Sequence, residues 1–120
     1  MFTKTISYDV EMNLSEINES NFKILSRMSP FGLSNYKPIF RTNNCFGAGN
    51  LRLMGKDKSH IKFKIKDSQD FEILAIGFNM SEHYEQINNN EPFDILYTIS
   101  RNTFNNSPSI ELNLKSIGFK

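Results

Sequence analysis

The sequence predicts a mainly β domain: a five-stranded Greek-key barrel with short helices, preceded by a strand–helix extension. Three observations carry the prediction. Ser59–Lys66 alternates strictly, with Ile61, Phe63 and Ile65 on one side and His60, Lys62, Lys64 and Lys66 on the other. That period of two marks a strand with one buried face. Five strand-like stretches follow residue 38, with one short helical piece between the third and fourth. The resulting order, β-β-β-α-β-β with a long bent first strand, is the connectivity of the OB-fold.

The extension opens on Ile6–Leu14, where Ile6, Tyr8, Val10, Met12 and Leu14 share a face. Ser15 is placed to cap a helix running to about Met28, with Ile17, Phe22, Ile24, Leu25 and Met28 on its apolar side. Ser29-Pro30 ends it, because the residue before a proline avoids the helical region. Residues 29–38 then form an ordered connector. Pro30, Phe31 and Gly32 are read there as structural, Phe31 plugging one barrel end and Gly32 supplying a turn, and Asn35 as a side-chain tie ahead of Pro38. Residues 1–37 are thus extension and connector, and 38–120 the barrel, in one compact unit.

The first barrel strand spans about 38–54, and Gly47 and Gly49 permit a bulge or sharp bend in it. The basic strand, 59–66, is second. The third, about 71–79, sets Phe71, Ile73, Ala75 and Gly77 against Glu72, Leu74, Ile76 and Phe78. Ser81 caps the helical piece Ser81–Ile87, and Glu82 in its first turn suits the helix dipole. The fourth strand covers about 93–101. The fifth, 109–117, puts Ile110, Leu112 and Leu114 inward and Glu111, Asn113 and Lys115 outward.

At 120 residues the chain is one domain, large enough for a core without staples. Phe, Ile and Leu supply that core, with eleven Phe and no Trp. A single Cys45 excludes an internal disulfide, which fits a reducing cytosol. No apolar run approaches the ~18–20 residues of a membrane span, and the N-terminus lacks a signal-peptide pattern. The expected location is therefore cytoplasmic.

The net charge of +1 conceals a segregation. Residues 52–66 carry Arg52, Lys56, Lys58, Lys62, Lys64 and Lys66 against Asp57 alone, while residues 67–100 hold seven acids and no Lys or Arg. A row of cations repels itself unless an anion meets it, so the second strand suggests a polyanion partner; the competing reading is a chance cluster on a solvated face. OB-folds bind oligonucleotides on the face of strands two and three, flanked by loops 1–2 and 4–5. Loop 1–2 here is Gly55–Lys58, and loop 4–5 runs from Asn102 through Phe104 to Pro108. The candidate nucleic-acid contacts are Arg52, Lys56, Lys58, His60, Lys62, Lys64, Arg101, Asn102 and Phe104, charge for phosphates and a ring for bases. Lys66, at the strand end, is the weakest of the row. His60 is read as a DNA-facing or loop-fixing donor rather than a metal ligand. Neither His60 nor His83 has carboxylates at ligand spacing, and Cys45 lacks a placed base, so no catalytic, metal or cofactor residue is assigned.

Pro30–Phe40, P-F-G-L-S-N-Y-K-P-I-F, resembles the P-F-G-x-G-N-x-x-P-x-F motif that opens the C-terminal OB domain of the bacterial RecJ exonucleases. Further stretches are similar in order: G-K-D-K-S-H-I-K (Gly55–Lys62), A-I-G-F (Ala75–Phe78), F-D-I-L-Y-T-I-S-R-N (Phe93–Asn102) and L-N-L-K-S-I (Leu112–Ile117). Ser34 stands in place of the motif's second Gly, Thr103–Asn106 where the family often has Glu-Trp-x-Gly, and Glu111 and Ser116 for the usual Gln and Asp. The resemblance implies a parent enzyme degrading single-stranded DNA 5′ to 3′ with Mg²⁺ or Mn²⁺ in recombination and repair. Its Asp-His-His motifs are absent from this chain, which is expected to be a non-catalytic piece binding single-stranded DNA beside the parent's catalytic domains. An interaction module using Glu82 and Glu85 is the alternative, and an autonomous enzyme comes third.

Overall fold

The strand that reads most clearly in the sequence also seats the structure, a computed structural model in which residues 10–17, 39–102 and 109–119 are described. Ile61, Phe63 and Ile65 of the basic strand are fully buried, and its cationic positions are half-exposed. Seven strands form in chain order: β1 (Val10–Glu11), β2 (Phe40–Gly47), β3 (Arg52–Met54), β4 (His60–Lys66), β5 (Glu72–Gly77), β6 (Phe93–Asn102) and β7 (Ser109–Phe119). A five-residue helix, α1 (Tyr84–Asn88), lies between β5 and β6.

Five strands close a ring. β4 pairs antiparallel with β5, β5 runs parallel to β7, β7 pairs antiparallel with β6, and β6 with β2. Phe46↔Lys66 and Gly47↔Ile65 then join β2 back to β4. This is the expected OB-fold barrel. The predicted long first strand is β2 and β3 together, broken at residues 48–51. Gly49 (φ +115°) and Asn50 (φ 58°) there adopt left-handed conformations that Gly and Asn tolerate best. β2 can therefore face β6 while β3 faces the start of β4.

Two bulges keep apolar residues inward. In β2, Asn43 and Asn44 oppose the single residue Asp94, so Thr42 and Cys45 both stay buried. In β7 the register shifts between the Leu96↔Ser116 and Tyr97↔Leu114 pairs, leaving Lys115 as the extra residue. Strict alternation would turn Ile117 outward; the bulge buries it with Leu112 and Leu114. Ring contacts between Phe40 and Tyr97, and between Phe63 and Phe93, tie the two halves of the core. Ile87 of α1 plugs one end, close enough to Gly47 that a Cβ there would lie 2.9 Å from the Ile87 Cγ2.

The N-terminal segment is sewn to the barrel rather than tethered. β1 pairs parallel with β2, and Met12, Leu14 and Ile17 join the barrel's own core cluster. The Leu14 N–H donates to the buried Asp67 Oδ2 at 3.2 Å.

Three local expectations are corrected. Within the described part of Ile6–Leu14 only Val10–Glu11 is strand. Ser15 does not cap a helix: Leu14–Glu16 is one 3-10 turn, and Ile17 is already extended (φ −92°, ψ 98°). Burial of Leu14 and Ile17 together, with the Leu14 amide taken by Asp67, overrides the local cap signal; residues 18–28 lie outside the described residues. Ser81 likewise lies inside a 3-10 turn, Ser81–His83, that leads into α1. Its N–H donates to the Ser59 carbonyl at 3.1 Å, so a tertiary bond replaces the side-chain cap.

Tyr97 gives a pH test. The Thr42 hydroxyl donates to the Met12 carbonyl (2.8 Å), so Tyr97 Oη is the donor in their 2.7 Å contact. Burial, the largest influence, pushes the Tyr97 phenol well above its ordinary value of 10.0. A raised pKa means its contribution to stability is full below pH ~10 and is lost as pH rises further. In denaturant melts, Tyr97→Phe is expected to cost about 1 kcal/mol at pH 7. It should also flatten the alkaline decline of stability relative to the parent chain.

Candidate nucleic-acid interface

The outer face of β3, β4 and β5 assembles most of the predicted cations, and strand register says how. Arg52 lies directly opposite Lys62, which in turn faces Ile76. Lys64 faces Leu74, and Lys66 faces Glu72. Like charges opposite one another on a sheet destabilise it by some tenths of a kcal/mol, so the Arg52–Lys62 pair is a structural cost. Among the described residues the ion pairs involve Arg41, Lys66 and His83. Arg52, Lys56, Lys58, Lys62 and Lys64 are in none. Lys66 is partly neutralised, 4.0 Å from Asp70 and opposite Glu72.

Lys56 and Lys58 project from the exposed turn between β3 and β4. The only acid in the basic stretch, Asp57, is used by that turn: its Oδ1 accepts from the Ser59 hydroxyl (2.7 Å) and the Ser59 N–H (3.3 Å). Those two bonds hold its carboxyl below the ordinary carboxylate value.

His60 fixes loops, and as an acceptor. Its Nδ1 takes the Asn79 N–H at 2.9 Å, so the neutral ring carries its proton on Nε2. The imidazole packs over Gly55 on one side and meets the Phe78 ring edge-on at 5.2 Å on the other. One side chain thus joins the β3–β4 turn to the exit of β5.

The acidic half of the chain does not form a matching surface. Asp67 is buried and accepts from the backbone N–H groups of Leu14, Gln69 and Phe71. Asp94 is buried, accepts from the Asn44 N–H at the β2 bulge, and contacts Arg41 at 3.5 Å. Two of the seven acids thus organise the fold, and Asp70 and Glu72 sit beside Lys66. Glu82, Glu85 and Glu91 remain around α1.

Sequence reasoning missed the second column of the face. Leu74 and Ile76 occupy outward positions of β5 beside the cations and are partly buried, and Phe78, 49% exposed, follows in the turn after the strand. The signal was available: a strand apolar on both faces in a small barrel implies that its outer face meets something. Across from Leu74, Glu111 of β7 has a buried Oε2 without a hydrogen-bond partner. Arg101 and Asn102 end β6, paired with Ile110 and Ser109. Phe104, Pro30, Phe31, Gly32, Asn35 and Pro38 lie outside the described residues. Among those described, no three His, Cys, Asp or Glu groups come together as a metal site, and no helix is long and apolar enough to cross a membrane.

A closed five-stranded barrel in this order, cationic along its second strand, defines an OB-fold domain of the kind that commonly takes oligonucleotides. The RecJ OB domain family matches residues 8–116, and the chain belongs to that family. It is 27% identical over 107 residues to the single-stranded-DNA-specific exonuclease RecJ of Bacillus subtilis (strain 168), an alignment covering 89% of this chain and 13% of that protein. The chain therefore spans about 13% of the length of that relative.

Gly55 tests the loop lock. It has φ +94°, and an added Cβ would lie 2.9 Å from His60 Cδ2. Gly55→Ala is expected to lower stability by about 1–3 kcal/mol in urea melts. It should also break the Nδ1-acceptor pattern of His60 seen by imidazole ¹⁵N NMR. Gly49→Ala, with φ +115° but open space around it, should leave His60 unchanged.

Proposed function

We propose that the domain binds single-stranded DNA across the β3–β4–β5 face as the OB part of a RecJ-type 5′–3′ single-strand-specific exonuclease in recombination and repair. In this reading it holds and orients the strand beside the parent's catalytic domains, in the cytoplasm. Hydrolysis, with divalent metal, belongs to those domains. The observation that carries the reading is the set of cations without ion pairs (Arg52, Lys56, Lys58, Lys62 and Lys64) next to an apolar column, with the one local acid turned into its own loop. A backbone of phosphates meets the first column and unstacked bases the second. Family membership supports it, because the B. subtilis relative is a single-stranded-DNA-specific exonuclease. Arg101, Asn102 and Phe104 extend the proposed contact toward the β6–β7 connection. The alternative is a protein-docking module using Glu82 and Glu85, which lie exposed around the start of α1; the interior positions of Asp67 and Asp94 make the acidic surface available to it smaller than the sequence implies.

Charge changes of opposite sign test the reading. By fluorescence anisotropy with a labelled oligonucleotide, Lys62→Glu with Lys64→Glu should weaken binding by tenfold or more. Each neutralised phosphate contact should lower the log–log salt slope by about 0.7. Glu111→Gln removes a negative charge within roughly one Debye length (~10 Å) of Lys64 and should tighten binding a few-fold at low salt. Affinity indifferent to both changes would exclude this face as the binding surface.

A further inference from the structure

We infer that Phe78 is a base-stacking platform, held in its working orientation by His60; the inference rests on the single-stranded-DNA reading and adds the residue that takes the base. Among the described residues Phe78, 49% exposed, is the most exposed large apolar side chain, and it extends the outward apolar column of Leu74 and Ile76 rather than standing alone. Its surroundings say what covers it. Two residues before it, the partly buried Ile76 lies on the outer face of β5 opposite Lys62, which in turn lies opposite Arg52. Adjacent strands lie about 4.8 Å apart, so cations and aromatic ring stand within the span of one nucleotide. A phosphate at Lys62 and Arg52 leaves its base directed over Ile76 and Phe78. A neutral apolar protein surface would gain nothing from that adjacent charge, whereas a nucleotide uses both columns.

The ring is also prepared for stacking. Phe78 lies in the turn after β5, where a surface aromatic would ordinarily sample several rotamers. Here the His60 imidazole meets it at 5.2 Å with planes 71° apart, and His60 is itself anchored by the Asn79 N–H and seated over Gly55. Asn79, next in the chain, takes a left-handed conformation (φ 58°) that presents that N–H. The ordering is thus done before the base arrives. His60 is a positioning residue here, acting through Phe78.

The chain has no tryptophan, so Phe78→Trp supplies a single reporter at the site. Its emission should be quenched saturably by an oligothymidylate and much less by the same backbone carrying abasic sites. Phe78→Ala should reduce affinity for the oligothymidylate about five- to hundred-fold. Its salt slope should match that of the unsubstituted domain, and the preference for normal over abasic DNA should disappear. Phe78→Tyr should retain that preference. Phe78→Ala that binds as tightly as the unsubstituted domain and still prefers normal DNA overturns the stacking role while leaving the cationic face intact. No binding by the unsubstituted domain overturns both readings.

Discussion

Closure of the barrel is the constraint on which everything else rests. A twisted five-stranded sheet of this size has two edges, and both are removed by the short β2–β4 pairing at Phe46↔Lys66 and Gly47↔Ile65. That pairing requires the chain to turn within residues 48–51 so that one predicted strand serves two neighbours. The left-handed Gly49 and Asn50 supply the turn, and the Ala48 N–H (2.7 Å) and the Gly49 carbonyl (2.9 Å) stitch it to Lys64. The backbone of the basic strand is therefore pinned at its middle by the same turn that closes the ring. The outer columns of β4 and β5 inherit their fixed register from it.

Buried acids do the second part of the organisation. Asp67 gathers three backbone donors, one from the N-terminal segment and two from its own turn, so the segment before the barrel and the far end of β4 are joined at one carboxylate. Asp94 acts similarly at the β2 bulge, where its Oδ1 accepts from the Asn44 N–H at 3.0 Å. Asp57, Asp67 and Asp94 thus satisfy backbone and hydroxyl groups, and among the described residues no acid pairs with Lys62 or Lys64.

Legibility in the sequence tracked how local the determining physics was. The alternation of His60–Lys66 and the apolar face of β7 could be read directly, because period two needs no knowledge of neighbours. The segment order likewise sufficed for the OB-fold. What escaped depended on partners far along the chain. Ser15 and Ser81 look like caps, but Asp67 and Ser59 take the amides of Leu14 and Ser81. The bulge at Lys115 leaves no composition signal; only the burial of Ile117 reveals it. Asp67 and Asp94 read as surface acids because burial of a carboxylate depends on donors brought by the fold. At the candidate site the cations were legible by charge, whereas Phe78 was hidden because it continues the period of a strand apolar on both sides that in fact ends one residue earlier.

The repulsion between Arg52 and Lys62 has a consequence for how copies of the domain coexist. Leu74 and Ile76 on the outer face of β5, with Phe78 in the turn beyond, make an oily strip beside the cations of β4. Two such strips could adhere face to face, but each arrives behind its own row of positive charge, and like rows push apart over about a Debye length. Close approach of two such strips therefore carries an electrostatic cost that falls as salt rises. An anion that offsets this cost must itself cover the strip, so any ligand supplying charge without ring or hydrocarbon would favour clumping over recognition.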